Sequence, residues 1–267
     1  MDLKATLSLF LLLSGLCCAH QGIVRYDSLN LILEEEITQT ILRMNNGSRD
    51  FLFEGDVLIA KTRTAMKCLH KVYSCLWQES ANGNVDIPFL LSNKYDDAER
   101  NEILSAMKDF EDKTCIRFIP RANQRAYLSI EPKSGCSSSL GRIGEKQVVS
   151  LQRFGCIQRG IIQHELLHAM GFYHEHSRSD RDRYIRINFD NIPKYYAVNF
   201  QKMDTNNLNT PYDYTSVMHY GRTAFGMNRK ETITPIPDSS APIGQRDKLS
   251  KFDILRINRL YKCRSHM

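Results

Sequence analysis

The sequence predicts an α+β protein in which strands and helices alternate through the first part and an irregular lobe follows. Three observations lead there. Short runs rich in β-branched and aromatic residues, bounded by turn formers, recur at 86–92 (DIPFLLS), 116–121 (IRFIPR), 126–132 (AYLSIEP) and 147–151 (QVVSL), as strands require. Apolar residues at helical spacing lie between and after them. The stretch 176–249 is polar, rich in Asn, Asp, Tyr and Pro, and without periodicity; it is too long for an ordinary loop.

The elements follow in order. The chain begins MDLKATLSLFLLLSGLCCAHQ, with one lysine, an apolar run from Leu7 to Leu13 and small residues ending at Ala19. This predicts a secretory signal over 1–19, because the run is too short to span a bilayer. Residues 20–63 lack cysteine, carry a glycosylation sequon at Asn46-Gly47-Ser48, and end in the basic stretch Lys61 to Arg63. They read as a detachable propeptide cut after Arg63 by a trypsin-like protease, leaving 64–267 as the main domain; a flexible extension is the bland alternative. A helix over about 96–112 places Ile103, Leu104, Met107 and Phe110 on one face, and a second runs from about Cys156 through His168. A last helix follows Ser250, which with Asp253 forms a capping box ahead of Ile254, Leu255, Ile257 and Leu260. The aromatic residues of 176–249, among them Tyr184, Phe200, Tyr212, Tyr214 and Phe225, argue for a packed lobe rather than disorder.

With 267 residues, 42% hydrophobic and 25% charged, the chain is long enough for a substantial core. Its formal net charge of +6 is spread without a block of like charges, which argues against a nucleic-acid partner, and no later segment is apolar enough for a membrane anchor. Cys17 and Cys18 leave with the signal. Cys68, Cys75, Cys115, Cys136, Cys156 and Cys263 remain, an even set that suggests three disulfides in a secreted chain. Cys68 with Cys75 and Cys136 with Cys156 are near enough for local loops, which would leave Cys115 with Cys263; spacing alone does not choose.

The chemistry concentrates in HELLHAMGFYHEHSRSDRD, residues 164–182, which holds four of the chain's eight histidines. His164 and His168 are four apart in an apolar, helix-compatible stretch, so both imidazoles face one way and can reach one ion at about 2.0–2.1 Å, as zinc requires. Glu165 lies between them, placed to hold a water. Gly171 then permits a sharp turn and His174 arrives as a third ligand. A bare H-E-x-x-H is expected by chance in a chain this long at about a few per cent, and the added glycine and histidine lower that by about two orders of magnitude.

The extended pattern is the metzincin signature, and with Glu175, the R-x-D-R-D that follows, and SVMHYG at 216–221 it resembles the astacin family of zinc endopeptidases across 64–263. The resemblance implies a two-lobed metzincin catalytic domain: a twisted, mostly parallel sheet with helices in the N-terminal lobe, a cleft, and an irregular C-terminal lobe. It implies one zinc ion bound by His164, His168 and His174, with Glu165 as general base and Tyr220 as a displaceable fifth ligand that helps stabilise the oxyanion. Met218 would form the floor beneath the metal and Glu175 would receive the new N-terminus. FEGD, 53–56, resembles the family's inhibitory motif and makes Asp56 the zinc donor of a latent precursor. The family pairing joins Cys115 with Cys263 and Cys136 with Cys156.

The extra pair Cys68 and Cys75 is similar to the six-cysteine astacins of bony fishes, which include hatching enzymes and nephrosin-like proteins. That likeness implies a secreted endopeptidase acting on extended polypeptides, with egg-envelope proteins as the leading substrate. A duplicated relative acting on another matrix, and a catalytically weak zinc-containing binding protein, are the rivals. The chain ends soon after Cys263, so epidermal-growth-factor or CUB modules are not expected. His176 and His219 read as structural or rim residues, and His20, His70 and His266 as exposed. Arg178, Asp180, Arg181 and Asp182 read as an ion-pair network. The stretch 136–147 resembles the family's rim strand, where substrate would pair in β fashion, but carries Ser137 in place of the usual aromatic and Glu145 in place of the usual glycine.

Overall fold

Apolar runs become a sheet because their β-branched and aromatic residues are buried in one core with the helices that pack on it. The computed structural model describes residues 35–58, 75–245 and 247–264. The expected signal, Arg63, Cys68 and the three histidines at 20, 70 and 266 lie outside them.

Strands β1 (Leu52–Phe53), β2 (Val57–Leu58), β3 (Val85–Leu91), β4 (Ile116–Pro120), β5 (Tyr127–Glu131), β6 (Cys136–Ser138) and β7 (Lys146–Leu151) form one sheet in the order β1-β2-β6-β7-β5-β3-β4. β4, β3, β5 and β7 run parallel, and β6 returns antiparallel to β7. Helices α1 (Ile37–Asn45), α2 (Asp97–Glu111), α3 (Arg159–Ala169) and α4 (Lys251–Tyr261) complete the frame. The parallel strands are joined by crossovers, of which α2 is the helical one, and their residues Ile87, Ile116, Leu128, Ile130 and Val149 are fully buried. The mostly parallel sheet with helices is thus present.

Helix ends follow local chemistry. Asp96 accepts the Glu99 N–H and Glu99 returns the bond to Asp96, a capping box that starts α2; Ser250 and Asp253 do the same for α4. The helix expected from Cys156 begins only at Arg159, since Cys156 is tied to Cys136 by a disulfide and the chain turns before entering α3. From Gly160 to Ala169 every residue of α3 is buried, so this helix runs through the interior rather than along the surface. Cys115 and Cys263 are also joined, fastening the end of α4 to the start of β4.

A second core forms beyond α3, from Ile185, Ile192, Phe200, Tyr212, Tyr220, Ala224 and Ile233. The lobe is not wholly irregular: β8 (Ile185–Ile187) pairs antiparallel with β9 (Ile233–Pro235), an element the sequence reading did not anticipate. The rest is short 3₁₀ turns and loops held by hydrogen bonds. The anticipated ion-pair network is there as well: Arg178 pairs with Asp180 at 2.9 Å and with Glu175 at 3.4 Å, and Arg181 with Asp182 at 2.8 Å.

Residues 36–58 fold onto this frame. Ile37 and Ile41 of α1 enter the main core, and β2 lies parallel to β6 with Val57 opposite Ser138. At the end of α1 the Asn45 carboxamide accepts the Cys136 N–H at 2.8 Å and donates to Cys136 O at 2.7 Å and Gly55 O at 2.8 Å. Gly135, at φ +77°, makes that approach possible: a Cβ there would stand 1.9 Å from Asn45 Oδ1. Asn46, with its sequon, is exposed.

Candidate metal centre

α3 carries His164 and His168 one turn apart, with ring centroids 4.8 Å from each other. The helix stops at Ala169, and Gly171 at φ +98° turns the chain back so that its N–H and that of Phe172 cap α3 on His168 O and Leu167 O. His174 then reaches the same point, 5.0 Å and 4.7 Å from the other two rings.

Each imidazole is oriented by a hydrogen bond from its Nδ1–H. His164 donates to Val217 O at 2.8 Å, His168 to Phe172 O at 2.8 Å, and His174 to the Glu54 carboxylate at 2.6 Å. This leaves the three Nε2 lone pairs directed inward. His164 Nε2 and His174 Nε2 are only 3.2 Å apart, and the Asp56 carboxylate sits among the three, at 3.0 Å from His164, 3.3 Å from His174 and 3.4 Å from His168. Four acceptor atoms crowded within 4.8 Å repel unless a positive charge lies between them. Two nitrogens bound tetrahedrally to zinc at about 2.0–2.1 Å stand about 3.3 Å apart, so the donor set fits that ion. The same demand shows at His174: burial would lower its imidazole, but Asp56 and Glu54 outweigh burial and lift it to about 10. Burial would raise Asp56, yet the charge of His174 and His168 and the close contacts of His164 and His168 hold it well below the usual carboxylate range.

Glu165 is fully buried beside this cluster, and among the described residues neither carboxylate oxygen has a hydrogen-bond partner. Burial first, and then the negative charge of Asp56, push its carboxyl well above the ordinary range. A buried carboxylate without partners is costly, and such groups persist where chemistry needs them.

The floor of the centre is fixed from α4. Asp253 accepts from the Ser216 hydroxyl at 2.6 Å, the Val217 N–H at 3.0 Å and the Ser250 N–H at 2.9 Å, and Ser216 Oγ accepts the Met218 N–H at 3.0 Å. This sets Val217 O against His164 and buries Met218 in the main core. Burial lifts the Asp253 carboxyl, against the pull of those hydrogen bonds. The capping box was legible in the sequence; this second duty of Asp253 was not.

Tyr220 is buried with its ring stacked on His176 at 3.8 Å, and its hydroxyl donates to Glu54 O. His176 donates from Nε2 to Asn199 O at 2.8 Å; burial, then His174, hold its imidazole well below the usual value. His219 donates to Tyr220 O at 2.7 Å, meets the Tyr212 hydroxyl at 2.7 Å, and is lowered by burial to about 4. Both are internal supports. Glu175 is gripped by Arg256 at 2.6 and 2.8 Å and by the Asp213 N–H at 2.7 Å; burial lifts its carboxyl and the Arg256 charge counters that. A cavity beside it is lined by Arg178, Asp204, Asn206 and Leu208.

The stretch expected as a rim strand over 136–147 pairs only at Cys136–Ser138 before Lys146. Between these, the Gly141 N–H goes to His168 O and the Arg142 N–H to Cys75 O, which draws the chain out of the sheet and over the end of α3. Ser137 is buried opposite Ser150, and Glu145 is exposed. Glu54 and Asn199, both at the centre, were not singled out from the sequence; only the nearness of Glu54 to Asp56 could have marked it.

Comparison with known proteins agrees with this geometry. The model of the astacin family of peptidases matches residues 75–262. The low choriolytic enzyme of Oryzias latipes is 58% identical over 229 residues, covering 86% of this chain and 84% of that one, and high choriolytic enzyme 1 of the same fish is 52% identical over 230 residues with the same coverage. The solved structure of high choriolytic enzyme 1, a hatching enzyme zinc-protease from medaka, superposes with a TM-score of 0.70 and 53% identity over 75% of this chain and 100% of that chain.

Proposed function

The chain belongs to the astacin family of zinc metalloendopeptidases, and from that premise we propose that it is a secreted zymogen whose residues 20–63, after a signal over 1–19, hold the 64–267 domain latent until cleavage after Arg63. The observation that carries this reading is the position of Asp56 among His164, His168 and His174, with the flanking chain laid along β6 where an extended substrate would pair.

His164, His168 and His174 would hold one zinc ion, with Asp56 as a further donor in the latent chain, and the ion would supply polarisation of a peptide carbonyl and acidification of a water. The remaining steps belong to side chains. Glu165 takes a proton from the attacking water and passes it to the leaving amine nitrogen, so the peptide C–N bond breaks without a covalent acyl intermediate. Burial favours the protonated form it carries between the two transfers. Tyr220, released from Glu54 O, turns its hydroxyl to the oxygen of the former carbonyl as charge develops there, and in the resting enzyme that hydroxyl would be a further, displaceable donor to the ion. Met218 keeps the floor apolar. Glu175, beside its cavity, receives the new N-terminal ammonium.

Extended extracellular polypeptides are the substrate class. The choriolytic relatives support egg-envelope protein as the natural target, ahead of another matrix protein. The test is cleavage of a denatured protein, and then of isolated egg envelope, by the recombinant chain before and after limited trypsin, with and without a chelator. Chelator-sensitive activity that appears only after a cut near Arg63 is the expected result. An uncut chain as active as the trimmed one would refute latency, and stoichiometric zinc with no activity in either form would favour a binding protein.

A further inference from the structure

The structure leaves one side chain at the centre without an assigned task. Asn199 is buried, at 6% exposure, and its Oδ1 accepts the Glu54 N–H at 3.0 Å. The Tyr220 hydroxyl takes the carbonyl oxygen of the same residue. Two groups of the second lobe therefore hold the two polar backbone atoms of a single residue, two positions before the Asp56 that sits among the histidines. Asn199 is held rigidly: its own carbonyl accepts from His176 at 2.8 Å, the next residue, Phe200, is fully buried, and Phe200 O accepts from Arg181 at 2.8 Å. On the opposite wall the Ser138 N–H donates to Asp56 O at 3.1 Å.

We propose that Asn199 is a substrate-binding residue that accepts the backbone N–H of the residue carrying the scissile carbonyl. This rests on the reading of 20–63 as a detachable segment. Once Glu54 leaves, a buried amide oxygen facing the cleft lacks its protein partner, and such a group is satisfied by whatever occupies the cleft. Glu54 meets the two groups from a left-handed backbone (φ +51°), whereas in an extended substrate the N–H and C=O of one residue project to the same side. The residue that offers its scissile carbonyl to the turned Tyr220 hydroxyl therefore presents its own N–H towards the fixed Asn199. Because the contact is to main chain, it binds without regard to side-chain identity, and its rigid support means little ordering cost on binding.

The experiment uses the trimmed, zinc-loaded enzyme and a quenched fluorescent peptide with its cleavage site fixed by mass spectrometry. A set of variants of that peptide carries one N-methyl group at each backbone amide flanking the scissile bond. In the parent enzyme, methylating the amide of the residue with the scissile carbonyl lowers kcat/KM by about three- to tenfold or more, the worth of one hydrogen bond. Asn199→Ala loses about three- to tenfold on the unmethylated peptide and shows no further response to that one methyl group, while keeping the parent's response at the other amides. Asn199→Asp keeps an acceptor oxygen and keeps the parent's response. Zinc content and thermal unfolding establish that the variants fold; if the alanine variant does not, Asn199→Ser withdraws the acceptor by a shorter side chain and is read the same way. A full parent-like response of Asn199→Ala at that amide, or a response lost only at a different one, overturns the assignment. Failure of the latency reading is seen separately, as equal activity of the parent before and after trimming on the unmethylated peptide.

Discussion

Replacing Asp56 by alanine in the uncut chain isolates the electrostatic part of the proposed latency. The carboxylate is buried and in contact with all three imidazoles, at 3.0, 3.3 and 3.4 Å. Removing one partner from a buried charged cluster costs about 3–5 kcal/mol. At about 1.4 kcal/mol per tenfold, the open, substrate-accessible fraction of the uncut chain rises by about two to three and a half orders of magnitude. The segment does not come away altogether. Burial of Ile37 and Ile41 contributes about 1.5–3 kcal/mol each, and the three Asn45 hydrogen bonds about 0.5–1.5 kcal/mol each, which together exceed what Asp56 supplied. The variant should therefore fold with the segment still mostly docked, yet hydrolyse peptide through its enlarged open fraction while uncut. A quenched peptide measures the rate, intact mass establishes that the chain is uncut, and the same substitution in a Glu165→Gln background gives the blank. An uncut variant whose rate rises by less than about tenfold would show that steric cover by 36–58, rather than Asp56, carries the inhibition.

Two further outcomes test the centre. Glu165→Gln keeps size and polarity but cannot accept the proton: metal analysis should find zinc retained while peptide hydrolysis falls by about 10²- to 10⁴-fold, and turnover near the parent rate would remove Glu165 from its role. Asp253→Ala leaves the Ser216, Val217 and Ser250 donors without their acceptor, a loss of about 3–5 kcal/mol that lowers the melting temperature by about 6–20 °C for a domain of this size. A shift under about 2 °C in a thermal scan would mean that the Ser216–Met218 turn holds itself.

Much of the frame was legible because its signals are local. Periodicity and a capping residue are read within one turn, which is why α2 and α4 begin within a residue or two of where the sequence places them. The histidine trio is equally local: i and i+4 on one helix, then a glycine turn, are enough to bring three imidazoles together. β8 and β9 escaped because each has only three residues and their pairing joins Ile185–Ile187 to Ile233–Pro235 across a long span of sequence that no window sees. Glu54 and Asn199 escaped for the same reason. A buried glutamate at φ +51° and an asparagine in a polar lobe look like turn residues until the fold sets one against the other, 145 positions apart.

If residues 20–63 are the propeptide proposed above, the geometry of residues 54–56 gives that latency a further property. Two of the three inward-facing histidines take their Nδ1 acceptor from the chain beyond residue 75, Val217 O and Phe172 O, but His174 takes its acceptor from Glu54. Within three consecutive residues, the segment supplies the donor among the imidazoles, the acceptor that orients His174, the carbonyl that holds the Tyr220 hydroxyl and the N–H that satisfies Asn199. These contacts share one short backbone with Glu54 and Gly55 both at positive φ, so Asp56 cannot leave the histidines by more than a small distance without disturbing the other three. On that reading departure is concerted: it would open the three histidines, free the tyrosine, expose the asparagine and remove the negative charge facing Glu165 in one movement. A chain that partly lost its segment would not be partly active, because the group that blocks the metal and the groups that would otherwise assist the reaction are engaged by the same three residues.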